Sequence, residues 1–179
     1  RILRVLIDWV RDERGAEIKD NPARHLRVRG TGDARAPFFT DQDEKRLLFE
    51  LSQMSNPNHL RLTKLALITG FRRSELLSLN WRNIDLKNNR LHIQRKECAA
   101  SESSSSMRMV PLPHKAKELL KSFKSKEGSV INLTKGSARN GFDRARKKAG
   151  LENLRFHDLR HIAISRMWGS GMNALELSL

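Results

Sequence analysis

Apolar residues recur at helical spacing over most of the chain, interrupted by one stretch that alternates. Ile2, Leu3, Leu6, Ile7, Trp9 and Val10 form a first amphipathic run, and polarity then rises through residues 21–37. This reads as the last helix of an upstream domain followed by a linker. Thr40 with Asp43 three residues on has the form of a capping box, and Leu47, Leu48, Leu51 and Met54 make the apolar stripe of the helix behind it. Further helices are expected over 57–68, closed by Gly70, and over 72–79. NIDLKNNRLHIQ then holds two short alternating runs around Asn88 and Asn89, the pattern of a β-hairpin. MRMVPLP, residues 107–113, reads as a third strand stopped by proline, after the polar connector ECAASESSSS. Pro113 opens a helix carrying Leu119, Leu120 and Phe123, and residues 137–150 form another around Phe142 and Ala145, closed by Gly150. RFHDLRHIAISRMW should be a helix ending near Gly169, after which NALELSL begins one more. The expected fold is mainly α, of α+β type: a helical domain with a small three-stranded antiparallel sheet and no internal repeat. We divide it into residues 1–30, a domain tail with its linker, and residues 31–179, a domain incomplete at its C-terminus. A chain that opens on one amphipathic helix and closes inside another is expected to be a fragment.

Composition narrows the partner. In 179 residues, 35 Lys and Arg face 20 Asp and Glu, a net charge of +15 with a pI near 10.9, which favours a polyanion and above all nucleic acid. Residues 86–148 hold 16 of the basic residues against five acids. For single lysines there, a solvated surface is the simpler reading. Arg139, Arg144, Arg146, Lys147 and Lys148, with only Asp143 among them, would repel one another without a counter-charge such as a phosphate backbone. Phe123 and Phe142 are the block's only aromatic residues, which favours duplex phosphates over stacking on single strands. The one cysteine, Cys98, has no partner for an internal disulfide, and no Cys/His pattern has zinc spacing. A reducing compartment and no structural zinc are expected. No apolar run approaches the ~20 residues of a membrane span, so a cytoplasmic protein without membrane contact is expected.

Three segments place a cation or an imidazole at the end of an element. In ITGFRRSELLSLNW, Gly70 ends one helix and Arg72 opens the next, a position suited to an anion, with Glu75 three residues on to hold the guanidinium. Alone, this is as well explained by a surface Arg–Glu pair. Arg73 rivals Arg72, because adjacent helical side chains diverge by about 100° and only one is expected to face the anion. In RFHDLRH, His157 and Arg160 fall on one helical face, where a proton carrier and a bidentate oxygen clamp can converge. His161 adds a metal-pair reading, ranked below the phosphate reading for want of a third ligand; a packed or solvated histidine is the simpler account of it. The third segment is Lys96 at the end of the second strand, with Arg108 across the serine-rich connector; a strand-edge charge is the plain alternative.

Together these segments resemble the tyrosine recombinases, the phage integrases and their chromosome-resolving relatives. T-G-x-R-x-S-E is matched by Thr69, Gly70, Arg72, Ser74 and Glu75; R-x-V-P-L by Arg108, Val110, Pro111 and Leu112; and H-x-L-R-H by His157, Leu159, Arg160 and His161. The resemblance covers nearly the whole chain and implies a catalytic domain that clamps double-stranded DNA with an upstream core-binding domain. It implies that Arg72 and Arg160 bind the scissile phosphate, that His157 assists as acid/base or phosphate ligand, and that Lys96 protonates the leaving 5′ oxygen. Glu75 and His161 would support the site, while Arg95, Arg108, Arg139, Arg144, Arg146 and Lys147 would contact DNA. No cofactor or metal is implied. The full protein would act as a homotetramer on paired sites, in a bacterial or phage context, nucleoid-associated when bound. The family's nucleophilic tyrosine lies C-terminal to the H-x-x-R helix, and this chain contains no tyrosine. Ser103 to Ser106 have no base beside them and are not expected to replace it. The chain itself is therefore expected to be a monomer that binds DNA without cutting it. Alternatives are a basic architectural DNA-binding module and a type IB topoisomerase-like enzyme; a two-metal nuclease lacks its paired carboxylates.

Overall fold

The computed structural model describes residues 39–94, 107–123 and 126–170, all within one compact unit, 36–179. Among the described residues ten elements follow one another: α1 (Asp41–Ser52), α2 (Asn58–Thr69), α3 (Arg73–Leu77), a 3-10 turn (Trp81–Asn83), β1 (Ile84–Asp85), β2 (Arg90–Gln94), β3 (Met107–Pro111), α4 (His114–Lys121), α5 (Lys135–Lys148) and α6 (Asp158–Gly169). The mainly helical reading with one small antiparallel sheet holds. The first apolar run, the serine-rich connector and the final NALELSL segment lie outside the described residues.

Local chemistry explains the element ends. The Thr40 hydroxyl accepts the Asp43 N–H at 3.1 Å while the Asp43 carboxylate accepts the Thr40 N–H at 2.9 Å, closing the capping box at α1. The Thr40 backbone N–H first, then the Arg46 guanidinium and the Thr40 hydroxyl, all donating to the Asp43 carboxylate, hold its carboxyl down at about 2. Gly70 ends α2 in the left-handed region at φ 66°, where a side chain would be strained. At the hairpin turn Asn89 takes φ 55°, and the Asp85 carboxylate accepts from both the backbone and the side chain of Asn88.

Three elements are shorter than their patterns. The third helix is expected over 72–79 but spans only Arg73–Leu77, because Asn80 then caps the separate 3-10 turn by accepting the Arg82 N–H. The fourth stops at Lys121, and Phe123 beyond it turns inward to meet Trp81 edge-on with centroids 6.1 Å apart. The last begins at Asp158, leaving His157 just ahead of it.

Helix α2 is the centre of the domain and packs against α1, α3, α4, α5 and α6. Leu62, Leu65 and Ala66 on α2, Leu47 and Leu51 on α1, Phe142 and Ala145 on α5, and Leu159 and Ile162 on α6 are buried in one core. The sheet, in order β1-β2-β3, adds Leu91, Ile93 and Val110, while Arg90, His92 and Met109 face outward in strict alternation. The loop after α4 is tied back to the start of the sheet by Trp81 N–H to Gly128 O and Val130 N–H to Leu79 O, both 2.9 Å.

At the α2–α5 crossing, Gly141 has no Cβ because the buried ring of His59 occupies its place: a Cβ there would lie 2.3 Å from two ring atoms. Gly141→Ala should therefore lower the unfolding free energy in urea by about 1–3 kcal/mol. Burial first, and then the charge of Arg144, keep His59 below its ordinary 6.5. The unfolded chain takes that proton first, so His59 contributes stability above about pH 6.5 that is lost as pH falls through that value. Urea midpoints measured from pH 8 to pH 5 should fall, and His59→Gln should flatten the decline.

Candidate phosphate-binding site

The T-G-x-R turn is built by hydrogen bonds that its own residues supply. The Thr69 hydroxyl donates to Leu65 O at 2.7 Å and itself accepts the Phe71 N–H at 3.3 Å, steering the chain out of α2. Gly70 is the close approach that lets α6 pass, with Ala163 and Ile164 side chains 3.5 and 3.6 Å from where a Cβ would stand. Its carbonyl accepts a hydrogen bond from the Arg160 guanidinium, joining the first and last motifs across 90 residues of sequence.

Behind this turn lies Glu75, a buried carboxylate with a side chain only 7% exposed. It accepts the Arg72 backbone N–H at 2.8 Å and the Arg72 guanidinium at 3.3 Å, and it accepts Arg108 Nη2 from β3 at 3.1 Å. Burial, then the neighbouring Arg72 guanidinium and more weakly that of Arg108, pull Arg160 below the ordinary arginine value, while Glu75 pulls it upward. Three guanidiniums thus share one carboxylate, an arrangement with surplus positive charge and room for an anion.

That surplus opens on a cavity of about 400 Å³. Arg72, His157 and Arg160 all line it, so the structure brings together the three residues on which the motif reading rests. Arg73 lines it as well, with its guanidinium 5.8 Å from the Phe156 ring centroid. Both neighbouring arginines thus border the cavity, whereas the helical reading expects only one of them to face the anion. Its premise fails because Arg72 is not helical: it sits ahead of α3 with extended backbone, φ −66° and ψ 147°, so the helical 100° offset does not apply.

The remaining candidates divide by their partners. Arg108 is mostly buried against Glu75, and its Nε is buried without a hydrogen-bond partner. Arg146 donates Nε to Asp143 at 2.7 Å and a terminal nitrogen to Glu152 O, also largely out of solvent. Arg139, Arg144 and Lys147 are exposed on α5, Arg139 at 73% of its side chain. His161 is exposed, its ring edge-on to His157 with centroids 5.1 Å apart, and among the described residues no three His, Cys, Asp or Glu side chains gather as a metal site. Arg95 and Lys96 lie outside the described residues. Sequence reasoning missed Arg155, exposed at the same cavity, and the aromatic wall of Phe71, Phe142 and Phe156. Arg155 had a signal in its place two residues before His157; the wall had none, since its members come from three separate segments.

A helical domain whose arginines, drawn from separate segments, line one cavity has a site of the class suited to an anion, and comparison with known proteins assigns the family. Residues 37–178 match the model of the phage integrase family, and the chain belongs to that family. It is 31% identical over 165 residues to the shufflon-specific DNA recombinase of Escherichia coli, covering 89% of this chain and 40% of that protein. It is 26% identical over 165 residues to the integrase of Salmonella phage P22, covering 82% of this chain and 41% of that protein. The chain thus spans about two fifths of the length of these relatives. Among solved structures, the catalytic domain of bacteriophage HP1 integrase superposes with a TM-score of 0.62 at 27% identity, over 79% of this chain and 77% of that one. The lambda integrase catalytic core has the same fold, with a TM-score of 0.60 at 21% identity over 74% of this chain and 87% of that one. No helix among the described residues is long and apolar enough to cross a membrane.

If Glu75 neutralises the site, removing its charge should cost more than removing an exposed partner. Glu75→Gln is expected to lower the unfolding free energy by about 3 kcal/mol, since it strands partly buried guanidiniums. Arg72→Gln, whose side chain is 55% exposed, should cost under about 1 kcal/mol. Equal losses in urea titrations would contradict this ordering.

Proposed function

We propose that this chain is the phosphate-binding part of a site-specific DNA recombinase that cuts and rejoins double-stranded DNA through a 3′-phosphotyrosine. The observation that carries the reading is the convergence of Arg72, His157 and Arg160 on one cavity, with Arg160 fixed to the Gly70 carbonyl and Arg72 to Glu75. In this reading the two guanidiniums hold the non-bridging oxygens of the scissile phosphodiester and stabilise the added charge of its pentacoordinate transition state. His157 donates a hydrogen bond to the same phosphate or moves a proton at it. Lys96 protonates the departing 5′ oxygen.

The nucleophile must come from outside the 179 residues, which contain no tyrosine. Its hydroxyl would attack phosphorus and form the tyrosyl ester as the 5′ hydroxyl leaves, and the reverse attack by a 5′ hydroxyl would restore the DNA. Each step exchanges one phosphodiester bond for another, so neither ATP nor a metal is needed. By the same reading residues 31–179 belong to the catalytic domain and residues 1–30 to the tail of a core-binding domain with its linker. The full protein would work as a homotetramer on paired sites in the cytoplasm of a bacterium. Arg95, Arg139, Arg144 and Lys147 would contact duplex phosphates, with Arg108 and Arg146 supporting that basic face from their ion pairs and His161 supporting His157.

The test uses the coding sequence extended beyond residue 179, with a nicked duplex carrying the recombination site, in EDTA. A covalent protein–DNA adduct should form with the extended protein and not with the 179-residue chain, and Arg160→Ala in the extended protein should reduce it by at least about 100-fold. Salt-sensitive binding without any adduct would favour a non-catalytic DNA-binding module instead.

A further inference from the structure

The charge lining the cavity exceeds what one phosphodiester can use. Arg72, Arg73, Arg139, Arg146, Arg155 and Arg160 all border it, together with His157, and Asp143 is the only carboxylate among the lining residues. Glu75 behind the wall offsets part of this charge on the Arg72 and Arg160 side, and Asp143 offsets part on the Arg146 and Arg139 side. A single phosphodiester carries one negative charge, so its binding would leave several of the guanidiniums bordering the cavity without a ligand counter-charge.

The arginines also separate by what holds them. Arg72 and Arg160 belong to the Glu75 cluster. Outside that cluster, Arg73 rests over the Phe156 ring, Arg139 approaches Asp143 only to 3.9 Å, and the Arg155 backbone is fixed by donating its N–H to the Asp158 carboxylate at 2.7 Å. That last bond anchors the main chain of Arg155 at the foot of α6 and leaves its exposed guanidinium to the cavity. The same cavity has an apolar wall of Phe71, Phe142 and Phe156, the last two packed edge-on with centroids 5.1 Å apart.

We propose that Arg155, with Arg73 and Arg139, forms a second phosphate subsite beside the one at Arg72 and Arg160, so that the cavity takes a phosphate–deoxyribose–phosphate unit with its sugar against the phenylalanine wall. This deepens the reading of the chain as a binder of DNA and rests on it. Arg155 becomes a positioning residue: by holding the neighbouring phosphate it fixes the backbone register of the phosphate in the Arg72–Arg160 cluster.

Calorimetric titration at low salt with thymidine 3′,5′-bisphosphate and with thymidine 3′-monophosphate tests the subsite on the chain as it stands, beside a fluorescence titration of a labelled duplex. The bisphosphate should bind about tenfold more tightly than the monophosphate, as expected for one added charge-assisted contact. Arg155→Gln should erase that preference and leave monophosphate binding in place, Arg155→Lys should restore most of it, and Arg82→Gln on the exposed 3-10 turn should leave it intact. A preference that survives Arg155→Gln, or is equally lost in Arg82→Gln, would overturn the subsite. So would failure of both nucleotides to bind while the duplex binds, although DNA binding itself would then stand. Failure of the nucleotides and the duplex alike would overturn both the subsite and the nucleic-acid reading beneath it.

Discussion

The site depends on one buried carboxylate. Glu75 gathers guanidiniums from places far apart in the chain: Arg72 at the start of its own helix and Arg108 on the third strand by direct ion pairs, and Arg160 on the last helix through its field. Without that charge, two like charges ~4 Å apart at an effective dielectric near 20 would repel by about 4 kcal/mol, and the elements bearing them would be driven apart. With it, three cations share one anion and the cluster keeps a net charge of about two. That is little enough for the protein to fold around and enough to favour an incoming phosphate. A hydrophobic replacement of such a pair is often neutral or stabilising, so the cluster is better understood as a device for holding cations in place than as a source of stability.

Everything else that fixes the cluster is backbone geometry carried by the core. The Thr69 hydroxyl directs the chain out of α2, and Gly70 turns it through a left-handed conformation. The turn presents a carbonyl to Arg160 and an extended N-cap residue, Arg72, to the cavity. Helix α2 can act as the common support because five other helices pack on it, and Leu62, Leu65 and Ala66 leave it little freedom to shift. If the proposed reading holds and the site meets a developing negative charge, such rigidity is an advantage, since its donors need not reorganise when the charge appears.

What was legible in the sequence is what is decided within a few residues. The Thr40–Asp43 box, the glycines closing α2 and α5, the hairpin turn at Asn88 and Asn89, and the spacing of His157 and Arg160 are all local, and the structure follows them. The motif order around the hairpin likewise sufficed to bring Arg72, His157 and Arg160 to one cavity. The parts that were not legible depend on partners distant in sequence. Arg108 finds Glu75 across 33 residues, and Gly141 is shaped by a histidine on another helix. The aromatic wall draws on three segments whose meeting no periodicity announces. By pattern Arg72 and Arg73 are helical neighbours, whereas one residue of extended backbone changes where a side chain goes.

The same division by partner separates the cations of this basic domain by how free they are to meet an anion. Arg108 and Arg146 lose most of their solvent to carboxylates or carbonyls already in the protein, so a phosphate would have to break those contacts to reach them. Arg72 is held by Glu75 yet 55% exposed, and Arg155 and Arg139 stand in solvent at the cavity rim. Net charge alone would rank all five alike. Burial separates them, because a guanidinium that is both desolvated and paired is already neutralised, whereas one that is held in position but still half in water keeps its field for the ligand. In the proposed reading, the positive charge that would draw a duplex toward this face belongs to many residues, while the placing of one phosphate would fall to the few whose counter-charge fixes their position without satisfying them.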